Sequence, residues 1–222
     1  MKKLLSLLLV LALSLSLILA LSSCDEEDAK GNLEELNEEQ WAEAVSAPSF
    51  ENVTVNYEYT VEGLLQKQLV KVTKDGVYRK IEAFNSDGSS VGSQAAYFTG
   101  AEGDMQRDLF LQTFLGIVKD RDNFTFDAEE KLYKADDVSI RIDQGTGVYV
   151  TENVKNGKLS FDGDGSVKEF VCTLTESMYM NDEQMQSMTI DVIWSFSAYG
   201  TTEITAEEQK SASSAPAFGV GG

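Results

Sequence analysis

Thirty-seven acidic side chains, two cysteines and no histidine set the chemistry open to this chain. Without histidine, the commonest general base, metal ligand and nucleophile activator are all missing. No P-loop, Gly-x-Gly-x-x-Gly or Cys-x-x-Cys spacing occurs. Carboxylates could serve a two-acid glycan hydrolase, which needs a pair held about 5 to 10 Å apart in a cleft. The adjacent pairs Glu129-Glu130, Asp136-Asp137 and Asp182-Glu183 fall instead in turn or loop sequence, where such acids are solvated. Asp162-Gly163-Asp164-Gly165-Ser166 matches half of a calcium loop, but Thr173 stands where the closing glutamate belongs, and a hairpin turn accounts for the same residues. The expectation is a non-enzymatic protein with no cofactor and no metal.

Cys24 is the residue placed for a covalent step. Met1 and two lysines, Lys2 and Lys3, precede an apolar run from Leu4 to Leu21, and the acidic stretch Asp25-Glu26-Glu27-Asp28 follows the cysteine at once. Basic, apolar, then small is the order of a secretory signal. Leu21-Ser22-Ser23-Cys24 resembles the lipobox of bacterial lipoproteins, in which the cysteine becomes the acylated N-terminus. That resemblance implies a signal peptide over 1–23, lipidation at Cys24, and a lipid-anchored acidic tether over 24–34. An uncleaved anchor helix is the alternative, since the run approaches the roughly 18 residues that can span a bilayer. Either way, the lysines ahead of the run keep that end inside, and the domain faces outward from the cell membrane, extracytoplasmic.

Taking Lys2 and Lys3 from the 18 basic residues leaves 16 against 37 acidic ones, a formal charge near -21 for the mature chain. Nucleic acid is excluded as a partner, and anionic head groups repel such a surface. With Cys24 acylated, Cys172 has no partner, so stability must come from an apolar core. Cys172 alternates with Phe170 and Leu174 and is expected to be buried. The expected organisation is one β-rich domain over 35–208, a monomer, with a disordered low-complexity tail over 209–222.

The elements that must position any site follow from periodicity. Asn37 can cap a short helix whose Trp41, Ala44 and Val45 form one apolar stripe, ended by Pro48. From Val53 to Val61 apolar and polar residues alternate, and Asp75-Gly76 and Asp87-Gly88 punctuate the following strands as hairpin turns. Asp104 to Val118 predicts one helix too apolar for an open surface, packed in the concave side of the sheet. Strands resume from Phe124, while the polar, methionine-bearing stretch from Ser177 to Gln186 is expected to be a loop. The predicted fold is mainly antiparallel β, of α+β type. It is a single strongly curved sheet or half-open β-barrel wrapped around one apolar helix, with a short N-terminal helix and a two-sheet sandwich as the competitor.

The order Phe126-Asp127 with Tyr133, the turn Asn156-Gly157-Lys158-Leu159, and the segment Trp194-Ser195-Phe196-Ser197-Ala198-Tyr199-Gly200-Thr201-Thr202 resemble the lipoprotein-carrier superfold. This is the superfold of LolA, LolB, LppX and LprG, and lipoproteins of Gram-positive gut bacteria look similar. The resemblance implies a half-open β-barrel closed by helices, with an apolar cavity for acyl chains or another lipid. Tyr57, Tyr59, Phe110, Phe114, Leu115 and Trp194 are the residues expected to line it. The alternative is an interaction module with a filled core, meeting a partner protein through its acidic surface or an exposed strand edge.

Overall fold

The structure, a computed structural model, describes residues 35–61, 63–145 and 147–213. Cys24, the leader and the tether lie outside the described residues, as does 214–222.

Ten antiparallel strands form one sheet: β1 (Val53–Val61), β2 (Leu64–Thr73), β3 (Gly76–Phe84), β4 (Ser90–Phe98), β5 (Thr125–Asp127), β6 (Leu132–Ala135), β7 (Val138–Gly145), β8 (Val148–Phe161), β9 (Val167–Met180) and β10 (Glu183–Ser197). Their spatial order is β4-β3-β2-β1-β10-β9-β8-β6-β5, with β7 also on β8. The sheet is open and curled, neither a sandwich nor a closed barrel. Two meanders make it, β1 to β4 and β8 to β10, joined where β1 pairs with β10. Their inward faces agree in phase: Val55 lies opposite Phe196 and Tyr57 opposite Trp194.

This topology dictates the crossing helix. β4 and β5 are opposite edges of the sheet, so the chain leaving β4 must cross one face of it before β5 can begin, and it crosses the concave one. Helix α2 (Gly100–Val118) makes that traverse; α1 is Glu38–Ala44 and α3 is Ala206–Ser213. Leu111, Phe114, Ile117 and Val118 are buried beneath it. Phe50, in the 3₁₀ turn Ala47–Phe50, packs against the touching pair Phe114 and Phe196, at ring separations of 5.7 and 5.4 Å. Close approach is also built in at Gly116, where a Cβ would lie 2.8 Å from Ile140 Cδ1 of β7.

Asn37 caps α1 as expected, its side chain accepting from the Gln40 N–H while Gln40 reaches back. Trp41 then plugs one end of the sheet. Its indole N–H donates to Val118 O at 3.0 Å, and its ring packs on Phe124, Tyr133 and Phe161.

Curvature has a local cause in β8. The turn expected at Asn156-Gly157 is instead a bulge inside the continuous strand β8: Lys155 pairs with Thr173 and Lys158 with Val171, so Asn156 and Gly157 share one opposing residue. Asn156 takes φ 53°, the left-handed conformation that asparagine tolerates. The bulge bends the strand, and there its free edge passes from β7 to β6.

Three boundaries differ from the sequence expectation. Helix α2 begins at Gly100 rather than Asp104: Thr99 at its N-cap is still extended (φ -129°, ψ 162°), and Gly100, with φ 57°, supplies the left-handed turn that leads into the helix. Ser177 to Gln186 is a hairpin rather than a loop: β9 and β10 run on to a tight turn at Asn181 and Asp182, both with positive φ. Residues 209–213, assigned to the tail, are instead helical within α3. Lys71, on the convex face, bridges to Glu208 at 2.7 Å and donates to Glu203 O. Buried Ala212 and contacts with β3 and β4 hold the helix there.

Candidate functional site

Where α2 rises off the sheet, one part of the concave face is left unfilled. The opening is a cleft of about 240 Å³. Its floor comes from central strands, Tyr57 on β1, Leu174 on β9, and Ile190 and Trp194 on β10. Its roof comes from one face of α2: Gln106, Leu109, Phe110 and Thr113, at helical spacings of three and four. Two polar walls close it, Gln68 with Arg79 on β2 and β3, and Glu152 with Glu176 on β8 and β9.

The floor is stiff. Tyr59, Tyr57, Trp194 and Phe170 stand in a row, with successive centroids 5.0, 4.9 and 5.7 Å apart and interplanar angles of 32, 29 and 23°. The faces of Tyr57 and Trp194 are thus covered by neighbouring rings, so the cleft meets ring edges. Phe110 closes on Tyr57 edge-on at 6.1 Å. Burial pushes the Tyr57 hydroxyl well above its usual range, with Tyr59, Cys172 and the two carboxylates adding to the effect.

On one wall the Arg79 guanidinium donates twice to Gln68 Oε1, at 3.0 and 2.8 Å. Burial lowers its pKa, partly offset by Tyr59 and Tyr57. Behind it, Gln68 donates to the Tyr59 hydroxyl, which donates to Gln66 at 2.7 Å.

On the other wall Glu152 lies directly opposite Glu176 in the β8–β9 register. Glu152 Oε1 accepts from the Thr113 hydroxyl at 2.7 Å. Its Oε2 is buried without a hydrogen-bond partner. Burial first, then the Glu176 charge, raises the carboxyl to about 7 against the opposing effect of the Thr113 bond. Like charges opposite one another on a sheet face repel.

The six expected lining residues divide. Tyr57, Phe110 and Trp194 line the cleft. Tyr59 sits behind Gln68 and does not line it. Phe114 shares the phase of Phe110 but lies one turn deeper, fully buried against Phe50, Phe170, Trp194 and Phe196. Leu115 faces away from the sheet. It lines a groove of about 620 Å³ with Ala47, Pro48 and Leu111, because one residue step turns a helix by 100°. The expected apolar cavity is therefore largely occupied by the protein's own aromatic rings, and the remaining opening is half polar.

Sequence reasoning missed Gln68, Arg79, Glu152 and Glu176. For three of them the signal was present as a break in an apolar alternation on the inward phase, Arg79 between Val77 and Ile81, Glu152 between Val150 and Val154, and Glu176 between Leu174 and Met178; Gln68, next in phase to Gln66, carried no such signal.

Other chemical candidates are dispersed. Glu130 binds Lys134 and Lys158, Asp127 binds Lys134, and Asp182 accepts from the Tyr149 hydroxyl. Gly88-Ser89-Ser90-Val91-Gly92 has a Gly-x-Ser-x-Gly spacing, but it lies in the turn and first residues of edge strand β4, and the chain has no histidine to activate a serine. Asp162 to Ser166 is a hairpin turn, closed by Asp162 N–H to Ser166 O at 2.8 Å. Cys172 is buried, its thiol pushed up to about 12 by burial and nearby carboxylates. Among the described residues no helix is long and apolar enough to cross a membrane. Comparison with protein-family models, curated proteins and solved structures finds no match to this chain.

Proposed function

We propose that this chain is an extracytoplasmic lipoprotein, tethered through Cys24, that binds a small amphiphilic ligand in the cleft between its sheet and α2 and performs no catalysis. The observation that carries this reading is the cleft itself: elsewhere the concave face is packed with buried aromatic side chains, and here it is left open. At about 240 Å³ it lies just below the usual range for small-molecule sites, so it takes a compact ligand or one end of a longer one. Leu109, Phe110, Leu174 and Ile190 offer the ligand an apolar lining, while Arg79 with Gln68 and Glu152 with Glu176 offer hydrogen bonds and charge. The lipobox-like Leu21–Cys24 supports the tether, and the open curled sheet with a helix across it suits a carrier.

The reading is tested by native mass spectrometry of the full chain, purified in an uncharged detergent from the bacterium that expresses it. A co-purifying small molecule is expected on the wild type. Leu109→Trp, which fills the cleft from an exposed helix position, is expected to lose it. An unliganded wild type that acquires nothing from membrane or cell extracts contradicts the reading.

One observation favours a second reading as an interaction module. The first half of edge strand β4, Ser90 to Gln94, is exposed and carries neither charge nor proline. Such an edge can accept a partner strand. Val91→Lys would abolish that pairing while leaving the cleft ligand bound.

A further inference from the structure

We propose that the polar head of the ligand is an organic ammonium ion, seated between Glu152 and Glu176 at one wall of the cleft. This rests on the reading of the cleft as a binding site and names the chemistry of its occupant.

Glu152 is only 3% exposed, yet it lines the cleft, and its Oε2 is the one buried side-chain oxygen without a hydrogen-bond partner among the described residues. A buried acceptor lacking a donor is costly, and more so when charged. Glu176 stands directly opposite and adds repulsion. The cation lining the cleft, Arg79, is on the other wall and donates to Gln68. The site thus lacks N–H donors and positive charge at one defined place, and an ammonium group supplies both.

A metal ion fits less well. Among the described residues no three His, Cys, Asp or Glu side chains come together to hold one, whereas calcium takes 6–8 oxygen ligands. The carbon body of an amine, by contrast, has a place against Leu109, Phe110, Leu174 and Ile190. A net charge of -19 draws cations toward the whole molecule.

The same oxygen can take a proton in place of the ammonium, so the two compete. The titratable groups facing Glu152 are Glu176 and Cys172 on β9, Tyr57 on β1 and Arg79 on β3, while α2 contributes the uncharged Gln106 and Thr113. With the Glu152 carboxyl near 7, ammonium binding strengthens as pH rises through neutrality.

The test is calorimetric titration of the full chain in maltoside micelles with three probes of one shape: 2-phenylethylammonium, 2-phenylethanol and 3-phenylpropionate. At about pH 8 the ammonium is expected to bind at least about tenfold more tightly than the alcohol, and the carboxylate more weakly than either. Glu152→Gln is expected to remove that preference, Glu176→Gln to reduce it, and about pH 5.5 to erase most of it in the wild type. A cooperative thermal transition in both variants shows that they fold. If the alcohol binds as tightly as the ammonium, or Glu152→Gln keeps the preference, the ammonium assignment falls and the cleft reading stands. If none of the three probes binds, both fall together.

Discussion

Glu152 occupies a strand position whose neighbours in phase, Val150 and Val154, are buried apolar residues. Burial raises its carboxyl from the ordinary range to about 7, so folding favours the protonated form. The sign follows from that direction: the stabilisation is fully present below about pH 4.5 and is lost as pH rises through about 7. A shift of this size corresponds to about 3 kcal/mol, at about 1.4 kcal/mol per pH unit. Glu152→Gln is therefore expected to be more stable than the wild type at about pH 8, by up to about 3 kcal/mol, and equal to it at about pH 4. Urea unfolding of both proteins at the two pH values measures the difference. Equal wild-type and variant stability at the higher pH would show that the buried carboxylate carries no cost. The cleft's polar walls were legible in the sequence only as interruptions of alternation. A single glutamate in an apolar phase does not say which strand will lie opposite, and the Glu152–Glu176 pairing depends on a register that the bulge at Asn156 and Gly157 helps to set.

At the scale of the element, α2 does two jobs along its length. Phe114, Ile117 and Val118 anchor its last turns, and Gln106, Phe110 and Thr113 roof the cleft from the turns before and beside them. The two roles should separate under mutation. Phe114→Ala is expected to destabilise the fold by about 3 to 5 kcal/mol. Phe110→Ala, at a half-exposed position, is expected to cost about 1 kcal/mol while releasing most of the bound ligand. Denaturant unfolding reads the first quantity and native mass spectrometry the second; similar stability losses in both variants would mean that α2 is uniformly core. The helix itself, its apolar excess and its concave position followed from composition and period. Which side of it stayed open did not, because that depends on Phe50, delivered from a separate turn to fill the space beside Phe114. The hairpin spanning Ser177 to Gln186 was hidden for a related reason. Its cross-strand pairs set polar side chains against serine, methionine and tyrosine, Ser177 with Ser187, Met178 with Gln186 and Met180 with Glu183, so no apolar alternation marks it.

For the molecule as a whole, the central claim is that an open curled sheet, crossed by one helix, keeps a half-polar cleft available on its concave side. The class of fold was legible from hairpin turns and alternating runs, and the open curl agrees with what the sequence implied. The crossing was not, since it follows from β4 and β5 ending on opposite edges, a fact of strand order rather than of local pattern. The proposed tether at Cys24 and the strongly acidic surface would hold such a domain away from anionic head groups, with its cleft free to exchange ligand. The most direct test is a crystal structure of the full chain purified without ligand exchange. Density for a small molecule between Arg79 and Glu152, with α2 standing off Tyr57, is the expected result. A helix settled onto Tyr57 and Ile190, with Gln106 and Thr113 closing the space, would contradict the account.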